Sequence, residues 1–262
     1  MNTSYRAWMS YRDNLHRLRS AQKSNRGAAA YSRFVNRPLG RRLAAAADVL
    51  GLSPDQVTLL SAGASAAGIL LLATAPPTPL VGVCVAAALV LGYALDSADG
   101  QLARLQARGG SAGEFLDHMV DAAKTSALHL AVLIGLYRHG HAADEAALLL
   151  PLGYAFVATV FFFGIILAEQ LRRQVTQQRA GPDTTRQPLL RSLVVLPNDY
   201  GLLCVVFLLW GARVAFLWVY GVLLFANAAF LVVGCLRWYG ELRGLDRAAG
   251  PGSRDTPSAV PV

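Results

Sequence analysis

Residues 95–121 read LDSADGQLARLQARGGSAGEFLDHMVD, and the four aspartates in this stretch, Asp96, Asp99, Asp117 and Asp121, govern how the rest of the chain is read. Asp96 and Asp99 are three apart and Asp117 and Asp121 are four apart, so on helices each pair shares one face. An apolar run precedes the first pair, another surrounds the second, and the linker between them is short. The spacing therefore predicts two neighbouring helices that bring four carboxylates together at one boundary of an apolar layer. Uncompensated, such a cluster is costly, because like charges repel and carboxylates beside hydrocarbon are poorly solvated. A divalent cation offsets both costs, and Mg²⁺ prefers hard oxygen ligands that it commonly shares with substrate phosphates. Gly100 permits close backbone approach beside the acids, and Ala103 is small. Arg104 offers a planar fork suited to a phosphate or diphosphate, and Gly113 lets the chain re-enter the second helix tightly. The bland alternative is a solvated acidic loop. Asp121 argues against it, because it sits inside an apolar run.

The composition around this stretch points to a membrane. Of 262 residues, 54% are hydrophobic and only 15% charged, and the mean hydropathy is +0.39. Charged residues in a soluble domain run near a quarter. A hydrocarbon span needs roughly 20 mostly apolar residues. Residues 56–75, 79–95, 117–137 and 146–168 meet that directly. Residues 201–236 are too long for one crossing, and Gly211 and Arg213 near the middle predict a split into two helices joined by a tight turn. The expected fold is an all-α integral membrane protein with six transmembrane helices.

The basic residues support an even count. The net charge is +8, and the lysines and arginines lie between the apolar runs rather than on one compact face, which speaks against nucleic acid as a partner. Six spans place 21 of the 24 Lys and Arg on one side. Such a bias predicts cytoplasmic termini and a cytoplasmic acidic cluster in a multi-pass cell-membrane protein. Five spans would send Arg237, Arg243, Arg247 and Arg254 to the other side.

Four segments follow. Residues 1–35 form a polar, Arg-rich N-terminal segment without the apolar core of a signal peptide. Residues 36–55, with Pro38, Arg41 and Arg42 before a Leu/Ala/Val run, read as an amphipathic helix at the cytoplasmic interface, basic side toward anionic lipid headgroups. Packing on the bundle is the alternative. Residues 56–237 hold the six-helix catalytic domain, and 238–262 a cytoplasmic tail whose end has the composition of disorder. Cys84, Cys204 and Cys235 fall in apolar runs without metal-type spacing, which argues against disulfides or zinc.

Asp96-x-x-Asp99-Gly100-x-x-Ala103-Arg104, eight residues, then Gly113-x-x-x-Asp117-x-x-x-Asp121 resembles the signature of the CDP-alcohol phosphotransferases, also called the CDP-alcohol phosphatidyltransferase family. All eight positions are filled, and the six-helix layout around them covers most of the chain. The resemblance implies transfer of a substituted phosphoryl group from a CDP-alcohol, such as CDP-diacylglycerol, to an acceptor hydroxyl with release of CMP, in phospholipid or related polar-lipid synthesis. It implies Mg²⁺ or Mn²⁺ held by Asp96, Asp99 and Asp117, with Asp121 as general base and also a candidate metal ligand. Gly100, Ala103, Arg104 and Gly113 would line the cytidine diphosphate site. At least one substrate would be a lipid, and the family resemblance also points to a homodimer. The segment Ser53-Pro54-Asp55-Gln56-Val57-Thr58 resembles the family's approach to its first span, with Asp55 in place of the commoner Asn. Here Thr58 is a candidate nucleotide contact, and Ser53 with Pro54 also reads as a helix N-cap followed by Pro. The tract from Ser32 to Arg37 loosely resembles the N-terminal arm of members that handle inositol phosphates, and a CDP-inositol-type member making a soluble or lipid inositol phosphodiester is a second option.

Other residues rank lower. Lys124 lies one turn beyond Asp121 and reads first as a partner of Asp121, second as a ligand of acceptor phosphate. His118 reads as interfacial packing off the Asp117/Asp121 face. Asn198 and Asp199 read as helix capping before acceptor binding. Arg172 and Arg173 read first as positive-side anchors and second as ligands of acceptor phosphate, and Phe161, Phe162 and Phe163 as lipid-facing or packing residues. The rival function is a transporter or ion pathway, where intramembrane acids are common. The location of the acids at one surface, with Gly-Ala-Arg between them, favours the enzyme.

Overall fold

The computed structural model describes residues 3–20, 30–140, 145–177 and 199–249, and among them every regular element is helical. Helix α1 covers Thr3–Ser20. A π-helical turn, Ser32–Asn36, leads into α2, Arg37–Val49. Then come α3 (Pro54–Thr74), α4 (Pro79–Gln106), α5 (Ser111–His139) and α6 (Glu145–Gln177). The last two are α7, Tyr200–Val206, which closes in a 3₁₀ turn at Phe207–Leu209, and α8, Arg213–Ala249.

Five of these helices are long and apolar enough to cross a membrane: Pro54–Thr74, Pro79–Gln106, Ser111–His139, Glu145–Gln174 and Arg213–Arg247. The protein is a multi-pass membrane protein. The expected six spans are not matched in number. The block after residue 200 does divide between Leu209 and Arg213, but its first half, Tyr200–Leu209, is only a short apolar helix. Ten residues at 1.5 Å each reach about 15 Å, half of a hydrocarbon core of about 30 Å. The residues that would lengthen it, 178–198, lie outside the described ones. At the dividing turn Gly211 lies so close to Pro79 that a side chain there would strike its backbone nitrogen.

Local sequence explains the helix starts. Ser53 caps α3 in a reciprocal box: its Oγ accepts from the Gln56 backbone N–H at 3.3 Å, and Gln56 Oε1 accepts from the Ser53 N–H at 2.9 Å. Pro54 then fills the first helical position, where a missing N–H costs nothing. At α4, Thr78 Oγ1 accepts from the Val81 N–H at 3.2 Å and Pro79 follows the cap, without the return bond from a side chain. Helix α4 ends at Ala107, which takes a left-handed conformation (φ 53°).

Small residues let the membrane helices approach. Ser61 Oγ donates to the Gly92 carbonyl at 2.9 Å, and a Cβ on Gly92 would collide with the Ser65 side chain. Helices α3 and α4 thus lie backbone against backbone, the arrangement that replaces hydrophobic driving force inside a bilayer. The larger core centres on Trp210, Phe207, Phe216 and Tyr220, packed with Leu89, Leu128 and Val132. A second, smaller core joins Leu18 of α1 and Ala44, Ala45 and Ala47 of α2 to Val57, Ala98 and Leu102 of α3 and α4. The expected helix near residues 36–52 therefore exists as Arg37–Val49, with its alanines seated on α4 and Arg42 exposed.

Candidate active site

Helices α4 and α5 run further than the apolar stretches that announced them. Helix α4 continues through Asp96 and Asp99 to Gln106, and α5 begins at Ser111, ahead of Asp117. All four aspartates stand within helices, so their spacing of three and four places each pair on one face. Oxygens of Asp96, Asp117 and Asp121 lie within 4.8 Å of one another. Two ligands of one ion at 2.0–2.6 Å are separated by up to about 5 Å, so the trio fits a single hard divalent cation such as Mg²⁺ or Mn²⁺.

Asp99 departs from the expected set. Its carboxylate accepts from Thr58 Oγ1 at 2.7 Å and from the Gly100 backbone N–H, and it is only 6% exposed. Asp99 is thus turned toward α3 and stands outside the trio. The residue on the next turn of one face is not forced to point where its neighbour does, because a hydroxyl 41 positions away competes for it. Thr58 itself, expected beside nucleotide, is buried and also donates to the Pro54 carbonyl at 3.2 Å.

A cavity of about 940 Å³ opens beside the acids. Its walls include Thr58, Asp99, Gly100, Ala103, Arg104, Gly113, Asp117 and Asp121. Every signature position but Asp96 therefore faces one chamber. Asp96 lines a second cavity of about 210 Å³, which also takes in Asp99, Gly100, Arg104, Asp117 and Arg37. At Gly113 the Asp55 carboxylate lies 3.4 Å from where a Cβ would stand, so the bare backbone leaves room for the side chain that replaces the commoner Asn.

Lys124 ties the cluster together. Its Nζ lies 2.7 Å from Asp121 Oδ1, the pairing expected from sequence, and 2.6 Å from Asp96 Oδ1, which was not expected. The signal was present, since an intramembrane lysine demands partners. Its second partner lies on another helix and could not be read from spacing.

The lower-ranked residues sort as follows. His118 is not off the site: it lines the large chamber with Glu114, 3.8 Å away. Arg173 lines the same chamber and pairs with Glu114 at 2.8 Å and Glu169 at 2.6 Å. Arg172 donates to the Ala168 carbonyl at 3.1 Å and lies 3.9 Å from Glu241. Both arginines thus meet carboxylates rather than open solvent alone. Asp199 caps α7, accepting from Gly201 N–H at 3.1 Å, and also from Ser32 N–H at 3.1 Å, which fastens the N-terminal arm. Asn198 lies outside the described residues. Phe163 is exposed, Phe161 packs on Trp238, and Phe162 forms part of the chamber wall. Arg108 also borders the chamber.

Deeper in the bundle lies a polar group that sequence reasoning passed over. His129 Nδ1 and Tyr220 Oη are 2.6 Å apart, His129 stacks on Tyr154 at 4.1 Å, and Asn227 donates to Tyr154 Oη at 3.0 Å. His129, Tyr154 and Asn227 line a cavity of about 190 Å³ that shares Phe162 and Ile165 with the large chamber. A histidine and an asparagine inside apolar runs were the available signal.

Comparison with known proteins now bears on this geometry. Residues 51–233 match the family described as CDP-alcohol phosphatidyltransferase. Among solved structures, the chain is similar to the phosphatidylinositol phosphate synthase of Mycobacterium tuberculosis, crystallised with manganese and citrate. That match has 21% identity and a TM-score of 0.47, and covers 86% of this chain and 94% of the other. A search of curated proteins finds no match. The family match spans more than half of the chain and contains the aspartate cluster, which decides for an enzyme over a transporter: the chain belongs to the CDP-alcohol phosphatidyltransferase family and is a CDP-alcohol phosphotransferase, using a CDP-alcohol donor and a hydroxyl acceptor.

Proposed function

We propose that this enzyme transfers the substituted phosphoryl group of CDP-diacylglycerol, or of a related CDP-alcohol, to the hydroxyl of a polar acceptor at the cytoplasmic face of the cell membrane, with release of CMP. The observation that carries this reading is the single chamber onto which Asp99, Asp117, Asp121, Gly100, Ala103, Arg104 and Gly113 all face. About 940 Å³ lies at the upper end of the range for small-molecule sites and suits a nucleotide diphosphate with an adjoining headgroup.

Asp96, Asp117 and Asp121 would hold Mg²⁺ or Mn²⁺, with Asp99 joining from the donor side. The ion, when bound, offsets charge on the diphosphate and on the departing CMP. Arg104 meets the diphosphate with its planar fork, and Gly100, Ala103 and Gly113 leave room for the cytidine nucleotide against the helix backbones. Thr58 orients Asp99. Asp121 takes the proton of the acceptor hydroxyl as its oxygen attacks the phosphorus that carries the alcohol. The bond between that phosphorus and the bridging oxygen breaks, and CMP leaves with the electron pair. Because Asp121 is one helical turn beyond Asp117, it stands on the acceptor side of the trio.

The topology in this reading has six crossings, with both termini cytoplasmic. The strong excess of Arg and Lys on one side supports it. Helix α2 lies at the interface, its alanines on α4 and Arg42 toward anionic headgroups. Residues 56–237 are the catalytic domain, residues 1–35 and 238–262 its cytoplasmic flanks.

The test is CMP release by purified full-length protein in nanodiscs, given labelled CDP-diacylglycerol, Mg²⁺ or Mn²⁺, and a panel of polar alcohols and alcohol phosphates. A labelled lipid product that requires both metal and one acceptor supports the reading. Metal-dependent release only from a soluble CDP-alcohol would reverse the assignment of lipid and polar partner, and release without metal would remove the role given to the aspartates.

A further inference from the structure

Lys124 is 8% exposed, and its Nζ stands between the carboxylates of Asp96 on α4 and Asp121 on α5, at 2.6 and 2.7 Å. Distances this short mark charge-assisted hydrogen bonds. The surrounding packing gives them unusual leverage. Helix α5 packs on α3 and α6, and α4 packs on α3 and α2. Across the acids, the ammonium group bridges α4 and α5. Both of its partners also belong to the trio of carboxylates close enough to share one ion. A single cationic side chain therefore touches two of three oxygen donors.

Two consequences follow from charge alone. Removing the ammonium leaves two poorly solvated carboxylates facing each other across the α4–α5 gap, which pushes the helices apart. It also removes one positive charge a few ångströms from any bound dication, which strengthens that ion's binding. A residue with a merely structural role produces the first effect and not the second. Taking the trio as the metal site, as in the functional reading above, we propose that Lys124 is a positioning residue. It is a resident counter-ion that holds Asp96 against Asp121 and competes with the divalent ion for their oxygens, so that the protein gives up metal affinity in return for a closed, correctly spaced site.

The experiment uses the full chain in nanodiscs with Lys124→Met, Lys124→Gln and Lys124→Arg. Mn²⁺ binding is followed by the loss of its free electron-paramagnetic-resonance signal, and thermal unfolding is recorded in EDTA and in saturating Mn²⁺. Lys124→Met is expected to bind Mn²⁺ about tenfold more tightly or better, one charge at this range being worth at least that much. Its Tm in EDTA should fall by about 5 °C or more and recover in Mn²⁺, because an ion bound only by the folded state stabilises it. Lys124→Gln, which keeps donors but loses the charge, gives the same reading where the Met variant does not fold. Lys124→Arg should return both quantities close to wild type. Unchanged or weaker Mn²⁺ binding in both neutral variants, with normal binding by wild type, overturns the competition while leaving the metal site intact. Failure of the wild type to bind Mn²⁺ overturns the metal reading itself, and this proposal with it.

Discussion

Replacing Thr58 by Val tests whether the site depends on a contact that only the fold reveals. The hydroxyl of Thr58 donates to Asp99 Oδ2 at 2.7 Å, and the two residues are 4% and 6% exposed. Val keeps the shape and deletes the donor. The carboxylate then retains the Gly100 N–H but loses the hydroxyl that holds it toward α3. A hydrogen bond to a charged group contributes about 1.5–3 kcal/mol. A chain of this size loses about 2–4 °C of Tm per kcal/mol, so the expected fall is about 3–12 °C. If the orientation of Asp99 matters equally in the transition state, the same energy lowers kcat/KM by about 10- to 150-fold. The assay is thermal unfolding of the nanodisc-embedded protein, in EDTA and in Mn²⁺, alongside CMP release on the same preparation. Thr58→Ser keeps the donor and should stay near wild type in both. Wild-type Tm and turnover in Thr58→Val would refute the reasoning, and equal losses in Val and Ser would assign the effect to the packing of the methyl group.

Three further outcomes are expected. Asp96→Ala, Asp99→Ala and Asp117→Ala should each abolish turnover and weaken metal-dependent nucleotide binding, whereas full activity in any two, at equal protein level, would sink the metal assignment. Arg104→Ala should lose most activity and Arg108→Ala should keep most of it, because both border the large chamber but only Arg104 also borders the cavity of Asp96; equal losses would mean that bulk positive charge is what counts. Asp121→Asn should keep CDP-alcohol binding while transfer falls by about 10²-fold or more, the scale of a lost general base; loss of nucleotide binding as large as that in Asp96→Asn would make Asp121 chiefly a metal ligand.

The aspartate pairs were legible because helix periodicity is short-ranged: spacings of three and four set a face whatever the rest of the chain does. The helix limits were less so. Hydropathy stops at Leu95, where charge begins, but backbone hydrogen bonds do not, and α4 runs on to Gln106 with its acids embedded. The turn between α7 and α8 was announced by Gly211 and Arg213, while the length of Tyr200–Leu209 was not, since an apolar run does not say where a helix yields to a 3₁₀ turn. Partners across helices were invisible. Thr58 and Asp99 are 41 positions apart, Asp96 and Lys124 are 28, and His129 and Tyr220 are 91. Each carries a polar group that burial obliges to find a partner, so the need could be read from sequence but the identity could not.

The separation of Asp99 from the other three acids has a physical logic. Four carboxylates crowded on one point would require more positive charge than one lysine and one ion supply. Here Asp96 and Asp121 share Lys124, while Asp99 is drawn aside by a neutral donor on α3. Asp99 therefore stands apart from the trio, while Asp99, Asp117 and Asp121 all line one chamber wall together with Arg104. Placement on continuous helices rather than in a loop keeps such a row in register, because each side chain inherits the rigidity of the helix beneath it. The same chamber is also lined by the apolar Phe162 and Ile165 of α6. Transfer of a substituted phosphoryl group from a CDP-alcohol to a hydroxyl needs donor and acceptor side by side, and the extension of α4 and α5 beyond their apolar stretches brings Asp99, Asp117 and Asp121 to the wall of one chamber.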